Sequence, residues 1–188
     1  MIIDFRHNSV PPNPFVIKNC TVERVDSYKY LGVHIDNELK WNVHIDNLIK
    51  KVNVRMYCMR KLHTFSVNPT VLAMFYNSVI CSVWRYCLLG WGGNSSKSNK
   101  DKINNQVRRA GRTVGIDLME VDCMYHDLLD TKLDSVLNDS NHPLHNNIKN
   151  CLIPRSGRLR MPTFGTRTRH PLSFIPRAMR LYNCKVKR

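Results

Sequence analysis

The sequence predicts an α+β chain, mainly α, with a small N-terminal antiparallel sheet, a helical bundle and an irregular basic tail. Three observations predict it. Residues 15–36 alternate apolar and polar side chains between turn formers, the pattern of half-buried strands. Residues 41–137 repeat apolar side chains three and four apart, the pattern of helices with one buried face. From Arg155 onward there is no acidic residue, and proline, glycine and arginine interrupt every regular pattern.

Taken in order, residues 1–5 are a short apolar run, and Pro11-Pro12-Asn13-Pro14 forbids regular structure. Phe15 to Lys18 and Thr21 to Val25 alternate weakly. Residues 28–36 form the clearest strand. Read as one strand, they put Tyr28, Tyr30, Gly32 and His34 on one face and Leu31, Val33 and Ile35 on the other. Asp36-Asn37 supplies a turn.

From Trp41 to about His63, Ile45, Leu48, Ile49, Val52, Met56 and Met59 form one helical stripe. Lys50, Lys51, Arg55, Arg60 and Lys61 lie elsewhere on that helix. Asn68-Pro69 opens the next helix, since asparagine caps and proline fits the first helical position. That helix, to about Leu89, is apolar nearly all round and is expected to be the most buried element, with Leu72, Phe75 and Trp84 in the core. Gly90-Trp91-Gly92-Gly93 ends it. Asn77 and Arg85 interrupt its apolar run, so it reads as a buried helix rather than a membrane span. Lys100 to Val114 is amphipathic, with Ile103, Val107, Ala110 and Val114 inward and Lys102, Arg108, Arg109 and Arg112 outward. Residues 117–139 are acidic but carry a stripe of Met124, Leu128, Leu129, Leu133 and Leu137. The organisation expected is therefore 1–40 strands, 41–115 helical bundle, 116–154 acidic helical segment and 155–188 basic arm.

Composition points to the partner. The 188 residues carry 29 Lys+Arg against 14 Asp+Glu, a formal net charge of +15. Such an excess suits phosphate-rich polymers, with an acidic membrane surface as the competing partner. The start, Met1-Ile2-Ile3-Asp4-Phe5-Arg6, places charges where a signal peptide needs an apolar core, so the chain is expected in the cytoplasm or nucleus. Seven cysteines without tight pairs read as reduced thiols. The basic residues gather in three clusters: Lys50-Lys51 with Arg55, Arg108-Arg109 with Arg112, and the tail beginning Arg155, Arg158 and Arg160. Tyr28 and Tyr30 add stacking surfaces beside one of them. The partner expected is RNA, DNA or their hybrid, held mainly through phosphates, with no cofactor.

Two sets of residues carry the ligand types of metal sites. His34-Ile35-Asp36 and His44-Ile45-Asp46 each spell half of an iron-binding triad of two histidines and a carboxylate, whose distal histidine must come from a strand of the same barrel. Here the following sequence reads helical. Cys123-x-x-His126, His142-x-x-His145 and Cys151 are zinc-type ligands, but in helical contexts and without zinc-knuckle spacing. No metal site is expected.

The order of the pieces resembles a known family. The runs "MIIDFRHNSVPPNPFVIKN", "VDSYKYLGVHIDNELKW", "MFYNSVICSVWRYCLLGWGG", "INNQVRRAGRTVG", "HPLH" and "SFIPRAMRLYN", with a basic helix between the second and third, are similar to the end of LINE-type (non-LTR) retrotransposon reverse transcriptases over nearly the whole chain. The resemblance implies that Tyr30, Leu31 and Gly32 belong to a primer grip, that residues 41–115 are thumb-like, and that the parent's palm is a partner. It also implies a parent RNA-directed DNA polymerase. The family's Asp-Asp turn is absent, and two-metal transfer needs converging carboxylates, so this chain is expected to bind without catalysing. Residues 28–62 are also similar to the short N-terminal domain of AlkB homologue eight, a tRNA-modifying dioxygenase and methyltransferase. A relic open reading frame without function is the remaining alternative.

Overall fold

The computed structural model describes residues 1–3, 13–161 and 170–186. The chain is mainly helical, with small antiparallel two-stranded sheets, as an α+β reading requires. Residues 4–12 of the apolar and proline-rich start lie outside the described residues.

Two hairpins come first: β1 (Val16–Ile17) pairs with β2 (Cys20–Thr21), and β3 (Ser27–Tyr30) pairs with β4 (Val33–Asp36). The second corrects the expectation of one strand over 28–36. Leu31 and Gly32 both take positive φ, 46° and 83°, the combination that a two-residue hairpin turn needs. The reversal changes the faces. Tyr28 lies opposite Ile35 and Tyr30 opposite Val33, so the tyrosines share a face with these two residues, of which Val33 is buried while the tyrosines stay exposed. Lys29 and His34 share the other. Gly32 is required by its φ rather than by crowding, since an added Cβ would meet only the Tyr86 ring, at 3.8 Å.

Asp36 then starts the bundle. Its carboxylate accepts from the backbone amides of Glu38 (3.1 Å), Lys40 (2.9 Å) and Trp41 (2.9 Å), which turns the chain into α1 (Asn42–Thr64). The expected α1 stripe is buried at Ile45, Leu48, Val52, Met56 and Met59, with Ile49 packed at its edge.

The single apolar helix expected from Asn68 is four pieces: α2 (Pro69–Phe75), a π-helical turn (Tyr76–Cys81), α3 (Ser82–Arg85) and α4 (Leu88–Trp91). Asn68 caps it as expected, its side chain accepting from Thr70 N–H at 2.8 Å. The π turn displaces backbone bonds, and Arg55 from α1 donates to the Val79 carbonyl there. The break falls at Tyr86 and Cys87, ahead of the glycines. Cys87 takes φ 54°, and the Trp91 indole N–H holds the Tyr86 carbonyl at 3.1 Å. Leu72 and Trp84 are core residues, whereas Phe75 is half-buried and Val71 and Met74 are exposed. The helix therefore has an outer face that its composition hid.

Two longer helices close the core. α5 (Lys97–Val114) starts at Ser96, whose hydroxyl accepts from Asn99 N–H, and ends at Gly115 with φ 84°. Ile103, Val107, Ala110 and Val114 are all buried. α6 (Val121–Asn138) buries Val121, Met124, Tyr125, Leu129, Leu133 and Val136, while Leu128 and Leu137 sit at the core edge. The glycines after Trp91 serve this packing. A Cβ at Gly93 would stand 2.7 Å from the Leu172 carbonyl and 2.9 Å from the Tyr125 hydroxyl.

The C-terminal region is more ordered than the irregular arm expected. After α7 (His145–Lys149), β5 (Leu152–Ile153) and β6 (Arg158–Leu159) form a third hairpin, and α8 (Phe174–Lys185) packs on α6. Pro176, Ala178 and Met179 are buried there, because residues 174–181 carry a helical apolar stripe that the arginines obscured. Buried residues from Val33 to Met179 make one continuous core. No helix of the described residues is long and apolar enough to cross a membrane.

Candidate nucleic-acid interface

The β3–β4 turn lies against the bundle, and a groove of about 320 Å³ opens beneath it. Leu31 and Gly32 form one wall, Lys51 and Arg55 of α1 another, and Ser82, Val83 and Tyr86 a third. The Tyr86 hydroxyl donates to the Leu31 carbonyl at 2.6 Å and so ties the turn to the end of α3. Leu31, Tyr28 and Tyr30 are largely exposed, 73%, 57% and 59%, and the two tyrosines stand on β3, the strand that leads into the turn.

The predicted cationic residues divide by what they already hold. Arg55 is half-buried and committed to the Val79 carbonyl, so its first task is to stabilise the π turn. Arg108 pairs with Glu120 at 3.1 Å and with the Asn105 side chain at 3.2 Å. Lys50, Lys51, Arg109 and Arg112 are exposed, and no carboxylate among the described residues pairs with them. Arg112 lines hollows on both sides of Gly115, one shared with Asp117 and Glu120 and one with His63 and Thr113.

α1 and α5 run side by side in the same direction. Asn99 Nδ2 donates to Asn42 Oδ1 at 2.8 Å and Lys102 pairs with Asp46 at 2.9 Å at one end, while His63 and Thr113 share a hollow at the other. Two helical turns on from Lys102, Arg109 lies on the same side of α5, along its seam with α1. Arg155, Arg158 and Arg160 stand apart from this seam on the third hairpin, all exposed. The three predicted clusters are therefore not one patch: the structure joins only Leu31 and Gly32 with Lys51 and Arg55.

Three further cations are paired along α6. Asp122 holds Lys100 at 2.5 Å, Asp127 holds Arg85 at 3.2 Å, and Asp130 holds Lys185. The bond from Asp130, and the nearby Asp130 and Asp134 charges, raise the Lys185 pKa.

The residues of the two metal motifs have other partners. Both Asp36 oxygens take backbone amides, and Asp46 takes Lys102. His44 is 1% exposed, between the rings of Trp41 and Trp91, and its Nδ1 accepts from His34 N–H at 3.3 Å. Burial, with His34 and Lys51 nearby, brings its pKa down to about 4, so the ring is neutral near pH 7. His145 meets the Val136 carbonyl at 2.9 Å, and His142 Nδ1 accepts from Leu144 N–H at 3.1 Å. Cys123 and His126 are exposed on α6, and no group of three or more potential metal ligands occurs among the described residues.

Sequence reasoning missed Tyr86 and Ser82 as groove residues, and nothing local marks them, because their role depends on a turn 55 residues away in the case of Tyr86. Compared with protein-family models, curated proteins and solved structures, the chain matches none.

Proposed function

We propose that the chain binds nucleic acid without catalysis, as the primer-gripping and thumb-like part of a LINE-type reverse transcriptase. The observation that carries this reading is the groove in which the Leu31–Gly32 turn meets Lys51, with Tyr28 and Tyr30 exposed on the strand that leads into the turn. A phosphate at Lys51 gains a cation that no described carboxylate neutralises, and the flanking tyrosines offer stacking surface to bases. Lys50, Arg109 and Arg112 extend the field for a backbone passing over the helices. Such contacts position a strand without reading its sequence.

The test is affinity for a duplex DNA, an RNA–DNA hybrid and a single strand as salt rises from 50 to 200 mM. Neutralising Lys50, Lys51, Arg109 and Arg112 to glutamine removes up to four phosphate contacts. The log–log slope on duplex DNA is then expected to flatten by about 3 to 4. All sequences should weaken alike. Affinity that is undetectable, or that ignores salt, refutes the reading. Incorporation of nucleotides on a primed template with Mg²⁺ would refute its non-catalytic part.

A further inference from the structure

The third hairpin is built like a tool rather than a tether. Leu152 pairs with Leu159 and Ile153 with Arg158, and Arg160 N–H extends the ladder to the Cys151 carbonyl at 2.6 Å. Pro154-Arg155-Ser156-Gly157 makes the turn, with Gly157 at φ 64° and its amide on the Ile153 carbonyl at 2.9 Å. Strand alternation sends Leu159 one way and Arg158 and Arg160 the other. Leu159 is 2% exposed, while both arginines are exposed.

One side chain sets the hairpin's place. Asn183 of α8 donates from Nδ2 to the Leu159 carbonyl and accepts from the Leu159 amide, both at 2.8 Å. It thereby satisfies both backbone groups of one residue, as a neighbouring strand would. α8 is in turn anchored on α6 by Pro176, Ala178 and Met179 and by the Lys185–Asp130 pair. The outer side of this clamped hairpin carries Arg155, Arg158 and Arg160, with Lys149 just before it. Among the described residues no carboxylate pairs with any of the four.

We infer that this hairpin is a second, preformed contact for a nucleic-acid backbone, positioned by Asn183 and separate from the groove under the Leu31–Gly32 turn. The inference rests on the nucleic-acid reading above and adds to it a distinct element with a distinct mechanism. The arginines are held on a hairpin clamped by Asn183, so less ordering entropy is lost on binding than for a flexible basic tail. Arg158 and Arg160 project from alternate residues of one strand, about 7 Å apart along the chain, and can take separate phosphates.

The experiment measures duplex DNA affinity against salt for the full chain. Arg158→Gln with Arg160→Gln removes two contacts on an exposed face. The slope should fall by about 1.8, which over a fourfold rise in salt makes the loss of affinity about tenfold smaller than in the parent. Asn183→Ala keeps every charge. It should weaken the parent several-fold and the double-glutamine variant much less, because it acts only through where the arginines point and Arg155 alone of the three then remains. Equal weakening in both backgrounds would make Asn183 a general stability residue and overturn the preformed contact. Arginine variants that bind like the parent would overturn the inference while leaving the groove reading intact. A parent chain that binds no nucleic acid would end both. Displacement of the duplex by polyglutamate at matched charge would assign the hairpin to acidic protein instead.

Discussion

Acidification is expected to loosen this fold through one buried ring. His44 sits between Trp41 and Trp91 with its Nδ1 accepting a backbone hydrogen bond, so the folded chain holds it neutral. Its pKa is about 4 in the folded chain against 6.5 for a free histidine. The unfolded chain therefore takes up a proton between pH 6.5 and 4 that the folded chain refuses. The group's contribution to stability is complete above about pH 6.5 and falls as pH drops toward 4. A gap of about 2.5 units is worth about 3 kcal/mol. Against a usual domain stability of roughly 5–15 kcal/mol, that is a large fraction. Urea unfolding at intervals from pH 8 to pH 4 measures it, with His44→Gln as the reference. The variant keeps a polar side chain but cannot titrate, so the difference between the two chains isolates this ring from all other groups. The parent's advantage should shrink by about 3 kcal/mol across the window. Parallel curves would show that His44 reaches solvent or a partner when charged, and would refute the burial argument.

Two further outcomes test the packing. Trp84 is fully buried, so Trp84→Ala should lose about 3–5 kcal/mol, read as a large drop in the urea midpoint, whereas Val71→Ala on the exposed side of the same helical run should stay within about 0.5 kcal/mol. Removing α8 should lower thermal stability rather than only weaken binding, because Pro176, Ala178 and Met179 leave the core and the α6 face beneath them becomes exposed; an unchanged unfolding temperature would return the C-terminal region to the status of an arm.

Elements whose causes are local can be read from the order of the amino acids. The stripes of α1, α5 and α6 are set by side chains three and four residues apart. Asn68 caps within two residues and Gly115 ends α5 in a conformation that suits glycine. Asp36-Asn37 was legible as a turn because a carboxylate can bond amides a few residues on. The residues of the groove were half legible: Lys51 and Arg55 stand out by charge, Leu31 and Gly32 only through the family resemblance, and Tyr86 not at all.

Other features depend on atoms far apart in the chain. Leu31-Gly32 lacks the asparagine or aspartate that announces a tight hairpin, and that turn is tied down by Tyr86 from another element. The same holds for Arg55 on the Val79 carbonyl, which supports a π turn inside what the apolar pattern shows as one helix. It holds again for Asn183 on Leu159, which converts an arginine-rich stretch into a hairpin of fixed place. Charge pattern alone could not say which cations remain open, because Arg85, Lys100, Arg108 and Lys185 meet their carboxylates only once the acidic helix has packed. Periodicity reports which face of an element is apolar. Which polar groups are left over for a partner is settled by the pairing of distant side chains, and that pairing exists only after the core has closed.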